Sequence, residues 1–422
     1  MKVLVIGGGG REHTIVWKLS QSPKVDKIYC APGNGGIAEL AECVDISVMD
    51  FDKLTAFAKE KEVDLTVVAP DDPLAAGAVD AFEAAGLRAF GPNKAAAIIE
   101  GSKAFSKELM KKYGIPTAGY EIFDNSREAI DYIRNQNQFP VVVKADGLAL
   151  GKGVIIAQSF QEAENAVHEI MDDKVFGAAG GKVVIEEFLT GPEISVLAFT
   201  DGKTLKPMVS AQDHKRAFDN DEGPNTGGMG TFSPSRIYTD ELAQECMENI
   251  FLPTMHAMNA EGRTFKGVLY FGLMKTPQGV KVIEYNCRFG DPETQVVLPR
   301  LKTDLFDIFN AVIDEKLDTL SIEWEDNAAV CVVLASGGYP KQYAKGYPID
   351  GIKQAESLGA MVFHAGTVYQ NGAFRTAGGR VLGVTATGCN LDDAIAQAYR
   401  FVDMISFRDM HFRRDIGIKK NQ

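Results

Sequence analysis

The sequence lacks the features that would place the chain in a membrane or among disulfide-rich proteins. No apolar run approaches the roughly 20 residues that a membrane-spanning helix needs. The six cysteines lie far apart and form no C-x-x-C pair, which is typical of reduced thiols. Residues 1–7 form a short strand pattern without the long apolar segment of an export signal. We therefore expect a cytoplasmic protein.

Positive charge is also scarce. The chain has 422 residues with 44 Lys and Arg against 57 Asp and Glu, so its formal net charge is −13. An acidic surface repels the phosphates of nucleic acids and of anionic lipids. We expect neither nucleic acid nor a membrane as a partner. A small anionic substrate requires a site that supplies its own cationic side chains.

The first hundred residues alternate between apolar runs and helical patterns, and the chain is long enough for two to four domains. The predicted strands are 2–6, 27–30, 65–69 and 88–90, and the predicted helices are 12–20, 52–61 and 73–85. Alternation of this kind predicts right-handed βαβ units, hence an α/β fold that opens with a Rossmann-like parallel sheet. Ligands of such sheets bind beyond the carboxyl ends of the strands.

From about residue 102 the pattern changes to helices mixed with strands and hairpins. The predicted strands are 141–145, 154–157, 182–189, 194–200, 267–275 and 280–287, and the predicted helices are 102–113, 161–171 and 240–260. From about 327 the pattern is again mixed, with strands 328–335 and 380–386 and a helix at 391–402. We predict three domains, 1–101, 102–324 and 325–422.

A glycine-rich turn at residues 146–153 joins two predicted strands and holds three glycines and a lysine, namely Gly147, Gly151, Gly153 and Lys152. Glycines let backbone N–H groups approach phosphate oxygens, and the lysine adds charge. The turn does not fit a P-loop, because Asp146 stands where the first glycine of G-x-x-x-x-G-K-[ST] belongs. A flexible hairpin would show the same glycines. Lys103 and Lys144, on either side of the turn, favour phosphate binding.

Two acidic strands carry the other candidate residues. One ends in Glu186 and Glu187, whose side chains point to opposite faces, so only one can enter a given cleft; an edge-strand charge is the alternative. The other strand places Glu284, Asn286 and Arg288 on one face. A carboxylate beside an amide oxygen suits Mg²⁺, and the arginine suits an anion held at that metal.

In this order, the lysines, the glycine-rich hairpin, the acidic strand and the late Glu-x-Asn-x-Arg strand resemble the ATP-grasp superfamily. Within it, the chain resembles the phosphoribosylamine–glycine ligase family over essentially its whole length. The most specific element is Arg288-Phe289-Gly290-Asp291-Pro292-Glu293-Thr294-Gln295. The resemblance implies an N-terminal Rossmann-like sheet, a central ATP-grasp domain with a mobile lid subdomain at roughly 120–190, and a C-terminal mixed α/β domain.

The resemblance also implies an ATP-dependent carbon–nitrogen ligase of purine biosynthesis. Its substrates would be glycine and 5-phosphoribosylamine, its intermediate glycyl phosphate, and its products glycinamide ribonucleotide, ADP and phosphate. The chain would be a monomer or weak dimer. Glu284 and Asn286 would bind Mg²⁺, with Mn²⁺ as an alternative, and the catalytic residues would be Arg288, Lys144 and Lys152.

By the same resemblance, the nucleotide would contact the phosphate-binding residues Lys103, Lys144, Gly147, Gly151, Lys152 and Gly153, the adenine-side residues Glu186, Glu187 and Phe188, and Glu193 at the ribose. The phosphoribosyl group would contact Gly9, Gly10, Arg11, Glu12, His13, Asn34, Gly35, Asp71, Asp213, Lys215 and Asn225, with Arg288 at the glycine carboxylate.

The chain departs from the family pattern at two points. Asp71 stands where the family commonly has a glutamate, so its reach toward the phosphoribose hydroxyls is one methylene shorter. The strand predicted at 267–275 contains no acid that could serve as a further metal ligand, so the metal would depend more on phosphate oxygens and water.

Three rival functions share parts of these patterns. A dinucleotide oxidoreductase would explain the opening strand, but the last glycine of G-x-G-x-x-G would fall on Glu12. Another ATP-grasp ligase, such as a carboxylase acting on bicarbonate, would share the nucleotide site but leaves the loop Arg11-Glu12-His13 unexplained. A binding module without activity fits least, because every expected phosphate-binding group is present.

Overall fold

The structure is a computed structural model that describes residues 1–148 and 153–418. Within these ranges, none of the helices combines the length and the apolar character that crossing a membrane requires. Gly151 and Lys152, two of the predicted phosphate-binding residues, lie outside the described residues.

The N-terminal region forms a five-stranded parallel sheet with the order β3-β2-β1-β4-β5. Its strands are β1 (Lys2–Gly7), β2 (Lys27–Pro32), β3 (Glu42–Cys43), β4 (Leu65–Val68) and β5 (Ala89–Phe90). Its helices are α1 (Gly10–Leu19), α2 (Phe51–Glu60), α3 (Asp71–Ala76), α4 (Ala78–Ala84) and α5 (Lys94–Gly101). The predicted parallel sheet is confirmed. The strand order reverses between β1 and β4, where open parallel sheets bind ligands.

One predicted helix of this region is wrong in detail. Residues 73–85 form two helices, because Gly77 adopts a left-handed backbone with φ of +100° and ends α3. As a result α3 is a separate short helix, with Asp71 and Asp72 in its first turn. Asp71 comes three residues after Val68, the last residue of β4.

The next region forms a four-stranded antiparallel sheet with the order β6-β9-β7-β8. Its elements, in chain order, are α6 (Lys103–Tyr113), β6 (Tyr120–Phe123), α7 (Ser126–Gln136), β7 (Val141–Ala145), β8 (Val154–Ala157), α8 (Phe160–Val167) and β9 (Val183–Glu187). Apolar side chains of α7, α8 and the strands form a separate core. We call these residues, 120–187, the lid sheet. The sequence prediction missed α7 and β6.

A second antiparallel sheet, with the order β11-β10-β16-β17, faces the lid sheet across a cavity. The elements of this part of the chain are β10 (Glu193–Thr200), β11 (Leu205–Pro207), β12 (Gln212–Asp213), β13 (Arg216–Phe218), β14 (Glu222–Asn225), β15 (Gly230–Ser233), α9 (Asp240–Cys246), α10 (Leu252–Ala260), β16 (Gly267–Thr276), β17 (Gly279–Asn286), α11 (Thr294–Val297) and α12 (Leu305–Ile313). The predicted helix 240–260 is continuous, with a π-helical turn at Met247–Phe251 between α9 and α10.

The C-terminal region is mixed α/β, as predicted. Its elements are β18 (Ala328–Ser336), α13 (Ile352–Ser357), β19 (Met361–His364), β20 (Thr367–Gln370), β21 (Ala373–Thr376), β22 (Arg380–Gly388), α14 (Leu391–Val402) and β23 (Met410–His411). The main sheet runs β12-β15-β18-β22-β19, and β23 also pairs with β18. Because β12 and β15 come from the central region, this sheet holds strands from both sides of residue 325.

Candidate active site

A cavity of about 1820 Å³ lies where the N-terminal sheet, the lid sheet, the second antiparallel sheet and the C-terminal region meet. Most of the predicted site residues line it: Arg11, Asp71, Lys103, Lys144, Gly153, Glu186, Glu187, Phe188, Glu193, Asp213, Lys215, Asn225, Glu284, Asn286 and Arg288. Residues that are more than 200 positions apart in the chain therefore share one space.

A β-bulge decides which face of β17 reaches the cavity. The register with β16 shifts so that Gly272 is opposite Glu284 while the adjacent Leu273 is opposite Val282. Val282 and Tyr285 are therefore both buried, and Glu284 and Asn286 face the cavity. Gly272 leaves room for the acid, because a Cβ at that position would lie 2.9 Å from Glu284 Cγ. The bulge thus re-aims the two predicted metal ligands out of the core.

Positive charge surrounds Glu284. Lys215 Nζ lies 3.2 Å from Glu284 Oε1 and 3.4 Å from Glu193 Oε2, so one lysine joins the predicted metal ligand to the predicted ribose contact. The charge of Lys215, with smaller contributions from Lys144 and Lys103, lowers the pKa of Glu284 to about 2. Glu284 is therefore ionised at neutral pH.

A buried cluster of one carboxylate and two lysines lies at the end of β9. Glu186 Oε1 is 2.9 Å from Lys144 Nζ, and Glu186 Oε2 is 2.9 Å from Lys107 Nζ. Each of the three side chains is at most 7 % exposed, so these pairs are shielded from water. Lys144 Nζ also donates to the Ile283 carbonyl at 3.2 Å, which links it to the strand that carries Glu284. Lys107 was not predicted.

The base of the glycine-rich hairpin is tied to the start of α6. Asp146 Oδ1 accepts from Ser102 Oγ at 3.0 Å and from the Ala104 N–H at 2.7 Å. Lys103 Nζ donates to the Gly147 carbonyl at 2.8 Å. Burial, together with the charge of Lys144, lowers the pKa of Lys103. The backbone of the hairpin base therefore holds the side chain of Lys103, which was predicted to bind phosphate.

The two acids at the end of β9 diverge, as alternation predicts. Glu186 is buried within the lysine cluster. Glu187 instead turns to Lys281 Nζ at 2.8 Å and accepts from the Gly119 N–H at 3.0 Å, and the Lys281 contact lowers its pKa. Phe188, the next residue, is an exposed aromatic ring on the cavity wall.

Arg288 joins the second sheet to the N-terminal region. Its guanidinium lies 2.9 Å from Glu100 Oε1 and 3.6 Å from Asp71 Oδ2. Burial opposes its charge, but Glu100 and Asp71 outweigh burial and raise the pKa of Arg288. Burial raises the pKa of Glu100, whose Oε2 accepts from the Cys287 N–H at 2.7 Å. The Arg288 Nε is buried and has no hydrogen-bond partner among the described residues.

Arg380, from the C-terminal strand β22, was also missed by the sequence prediction. Its Nη1 donates to the carbonyls of Gly227 at 2.6 Å and Asp291 at 2.9 Å, and its Nη2 is 3.2 Å from Asp291 Oδ2. It therefore connects the glycine-rich loop at 223–230 to the family-like segment at 288–295. The C-terminal region thus forms part of the cavity wall.

Not every predicted binding residue lines the cavity. Gly9, Gly10, Glu12, His13, Asn34, Gly35 and Gly147 do not line the cavity. Glu12 accepts from the Gly9 N–H at 2.6 Å, and His13 Nδ1 accepts from the His364 N–H at 2.7 Å. Asn34 holds its own loop through contacts to Gly8 and His364. Of the loop at 9–13, only Arg11 reaches the cavity.

Asp213 also lines this cavity. Burial, and the nearby charge of Glu293, raise its pKa well above the usual range. Glu293 Oε1 accepts from Ser195 Oγ and from Tyr270 Oη, each at 3.0 Å. Lys215 lies near Asp213, and its own pKa is raised by Glu193 and Glu284 against the effect of burial.

The residues present fit one divalent cation held mainly by non-protein ligands. The described part of the chain has no group of three or more His, Cys, Asp or Glu placed for a metal ion. Glu284 supplies an ionised oxygen. We assign the Asn286 amide so that its nitrogen donates to Glu100 Oε1 at 3.0 Å, which turns its oxygen away from that carboxylate. Mg²⁺ commonly takes one or two carboxylates and completes its shell with waters and phosphate oxygens.

Three family models match successive parts of the chain. They are the N domain of phosphoribosylglycinamide synthetase over residues 1–100, its ATP-grasp (A) domain over 101–294, and its C domain over 329–419. The chain is 50 % identical to the phosphoribosylamine–glycine ligase of Caldanaerobacter subterraneus subsp. tengcongensis, over 99 % of each chain. It belongs to this family. The ligase of Halalkalibacterium halodurans is 51 % identical over 99 % of this chain and 97 % of that relative.

A solved structure of phosphoribosylamine–glycine ligase, from Thermotoga maritima, superposes with a TM-score of 0.85 and 32 % identity, over 99 % of this chain and 100 % of that one. The biotin carboxylase domain of Hydrogenobacter thermophilus 2-oxoglutarate carboxylase, solved with MgADP and bicarbonate, gives a TM-score of 0.74 at 16 % identity, over 97 % and 91 % of the two chains. At that identity the likeness shows the fold alone. The α/β fold and the family predicted from the sequence are both confirmed.

Proposed function

We infer that this phosphoribosylamine–glycine ligase family member joins glycine to 5-phosphoribosylamine at the expense of ATP, giving glycinamide ribonucleotide, ADP and phosphate in purine biosynthesis. The observation that carries the inference is the convergence of two separate chain regions. Lys144, from the lid sheet, donates to the Ile283 carbonyl next to Glu284, so the predicted phosphate lysine and the predicted metal strand meet in one cavity.

The reaction needs an activated carboxylate. The carboxylate of glycine is a poor electrophile, because an amine attacking it would have to expel oxide. Transfer of the γ-phosphoryl group makes glycyl phosphate, whose phosphate is a good leaving group. Such a transfer requires mainly that the reactants are positioned and that developing charge is neutralised.

In this proposal Lys103, Lys144, the hairpin residues Gly147, Gly151 and Gly153, and Lys152 hold the nucleotide phosphates. Residues 186–188 border the adenine, and Glu193 accepts from the ribose hydroxyls. The lid sheet would exclude water, which otherwise hydrolyses an acyl phosphate. The support is that the described members of this set, apart from Gly147, line one cavity beside a pair of buried lysines.

Glu284 and Asn286 would hold Mg²⁺, with Mn²⁺ as the alternative; when bound, the cation would neutralise charge on the transferring phosphate oxygens. Arg288 would bind the carboxylate of glycine; the support is that this cationic side chain lines the cavity. Lys215 and Arg11 supply the further local cations that a phosphorylated substrate requires in an acidic protein.

The phosphoribosyl group binds on the N-terminal side of the cavity, in contact with Asp71, Asp213 and Asn225. The loop residues Gly9, Gly10, Glu12, His13, Asn34 and Gly35 would then act by shaping the loops around Arg11. We further propose a cytoplasmic monomer or weak dimer that acts on small molecules, with domains at 1–101, 102–324 and 325–422.

An ADP-release assay tests this function. Purified protein with ATP and Mg²⁺ receives glycine and freshly generated 5-phosphoribosylamine, and each substrate is omitted in turn. Release that requires both substrates is expected. Release driven by bicarbonate in the absence of glycine would contradict the assignment and favour a carboxylase.

A further inference from the structure

Lys107 is a buried lysine that lines the nucleotide side of the cavity. It lies on α6 one turn after Lys103, and it is 2 % exposed. A buried ammonium is costly unless its partners compensate it. Its surroundings therefore indicate what it does.

The ammonium of Lys107 has two direct partners on two different elements. It pairs with Glu186 Oε2 on β9 at 2.9 Å and donates to Thr117 Oγ1 at 2.8 Å. Thr117 Oγ1 in turn donates to the Val282 carbonyl on β17 at 2.8 Å. Lys107 is thereby connected to the strand at the adenine and to the strand that carries Glu284 and Asn286.

The second oxygen of Glu186 is bound to Lys144, at 2.9 Å. One carboxylate is thus divided between two ammonium groups, so the three side chains together keep one positive charge. If Lys107 were neutral, the whole carboxylate charge would act on Lys144 and hold it back from an anionic ligand. With Lys107 charged, Lys144 retains positive charge for a phosphate oxygen.

We propose that Lys107 is a positioning residue for the nucleotide. By binding one oxygen of Glu186, it fixes that carboxylate at the end of β9 and leaves Lys144 free to bind phosphate. It acts through Glu186 and does not itself touch the nucleotide phosphates. The proposal rests on the proposed function only in that the cavity binds ATP or ADP.

Nucleotide affinity, measured by calorimetry with MgADP, tests this proposal without requiring ligase activity. Lys107→Met keeps the length of the apolar stem and removes the charge. The matched control is Lys111→Met, one turn further along α6, because both ammonium groups lie near the same Tyr120 ring, at 5.7 and 5.6 Å from its centroid, while Lys111 is exposed. Thermal unfolding of each variant shows whether the fold is intact.

We expect Lys107→Met to weaken MgADP binding about ten-fold, or about 1.4 kcal/mol, and to raise the KM for ATP without changing the KM for glycine. Lys111→Met should match the unmodified protein. Lys107→Arg keeps the charge and provides a second test if Lys107→Met does not fold. It should bind MgADP within about three-fold of the unmodified protein, a loss of at most about 0.7 kcal/mol.

A second comparison separates this role from simple packing. In a Glu186→Gln background, Lys107→Met should cause little further loss of MgADP affinity, because the carboxylate through which it acts is gone. Three results would overturn the proposal: unchanged affinity in a folded Lys107→Met variant, full additivity with Glu186→Gln, or affinity lost in Lys107→Arg to the same degree. If the unmodified protein bound no MgADP, this inference and the proposed function would both fail.

Discussion

The two sides of the cavity hold charge in different ways. On the nucleotide side, Lys107 and Lys144 share the single carboxylate of Glu186, and Lys103 donates to the hairpin base. On the opposite side, where we place glycine and the phosphoribosyl group, each arginine contacts two groups: Arg288 pairs with two carboxylates, and Arg380 connects two loops. Lysine is a point charge on a flexible stem, whereas the planar guanidinium of arginine binds two groups in a fixed geometry. We therefore expect the lysines to neutralise phosphate charge and the arginines to orient the groups that bind the other substrates.

The largest effect is expected from the proposed metal ligands. Glu284→Ala and Asn286→Ala should each lower kcat by at least about a hundred-fold, as loss of a group that stabilises transferring charge commonly does. ADP release measured across a Mg²⁺ titration checks this. Near-normal turnover of both variants at limiting Mg²⁺ would refute the assignment.

The next effect concerns the ion pair between Arg288 and Glu100. Arg288→Met removes the partner of Glu100, which is buried, and breaking such a pair costs about 3–5 kcal/mol. Denaturant unfolding should show this loss. The double variant Arg288→Met with Glu100→Gln should recover much of the stability while remaining inactive. If the single variant were as stable as the unmodified protein, the pair would not hold the two regions together.

A smaller effect separates the two substrates. Asp71→Ala should raise the KM for 5-phosphoribosylamine about ten-fold, roughly one lost charge-assisted contact, and leave the KM for ATP unchanged. Asp72→Ala, at the neighbouring exposed position, is the control. An unchanged KM for phosphoribosylamine in Asp71→Ala would count against this contact.

The smallest effect is a pH dependence on the nucleotide side. Burial lowers the pKa of Lys107 to about 8, against the opposing effect of Glu186, with Lys144 lowering it further and Glu187 raising it. Between pH 8 and 10.5 the unfolded chain binds the proton that the folded chain has released, so this group makes stability rise with pH. MgADP affinity should instead fall above about pH 8, because neutral Lys107 no longer holds Glu186. In Lys107→Met this transition should be absent; its persistence there would assign the pH dependence to another group.

The sequence was most informative where chemistry and local structure coincide. The strands at 141–145 and 154–157 and the helix at 391–402 were predicted with the bounds that the structure has. Most of the predicted nucleotide residues line the cavity, because strand ends and glycine-rich turns have recognisable local patterns. The spacing of Lys107, four residues after Lys103 on one helix, was a usable signal that was missed.

What could not be predicted depends on distant partners. The bulge opposite Gly272 has no signature in β17 itself, since simple alternation would place Val282 on the same face as Glu284. Arg380 lies on β22, in the sheet that β12 and β15 of the central region also join, and it lines the cavity. His13 and Asn34 looked like substrate contacts, yet here they bind the backbone at His364. Tertiary packing, and not local sequence, decided each of these positions.

The central claim is that lysines of the middle of the chain and oxygen ligands of β17 serve one nucleotide. A crystal structure of the protein soaked with MgADP tests it most directly. We predict density for the phosphates between Lys103, Lys144 and Glu284, with the cation against Glu284 and Asn286. Nucleotide density elsewhere, away from these four residues, would contradict the account.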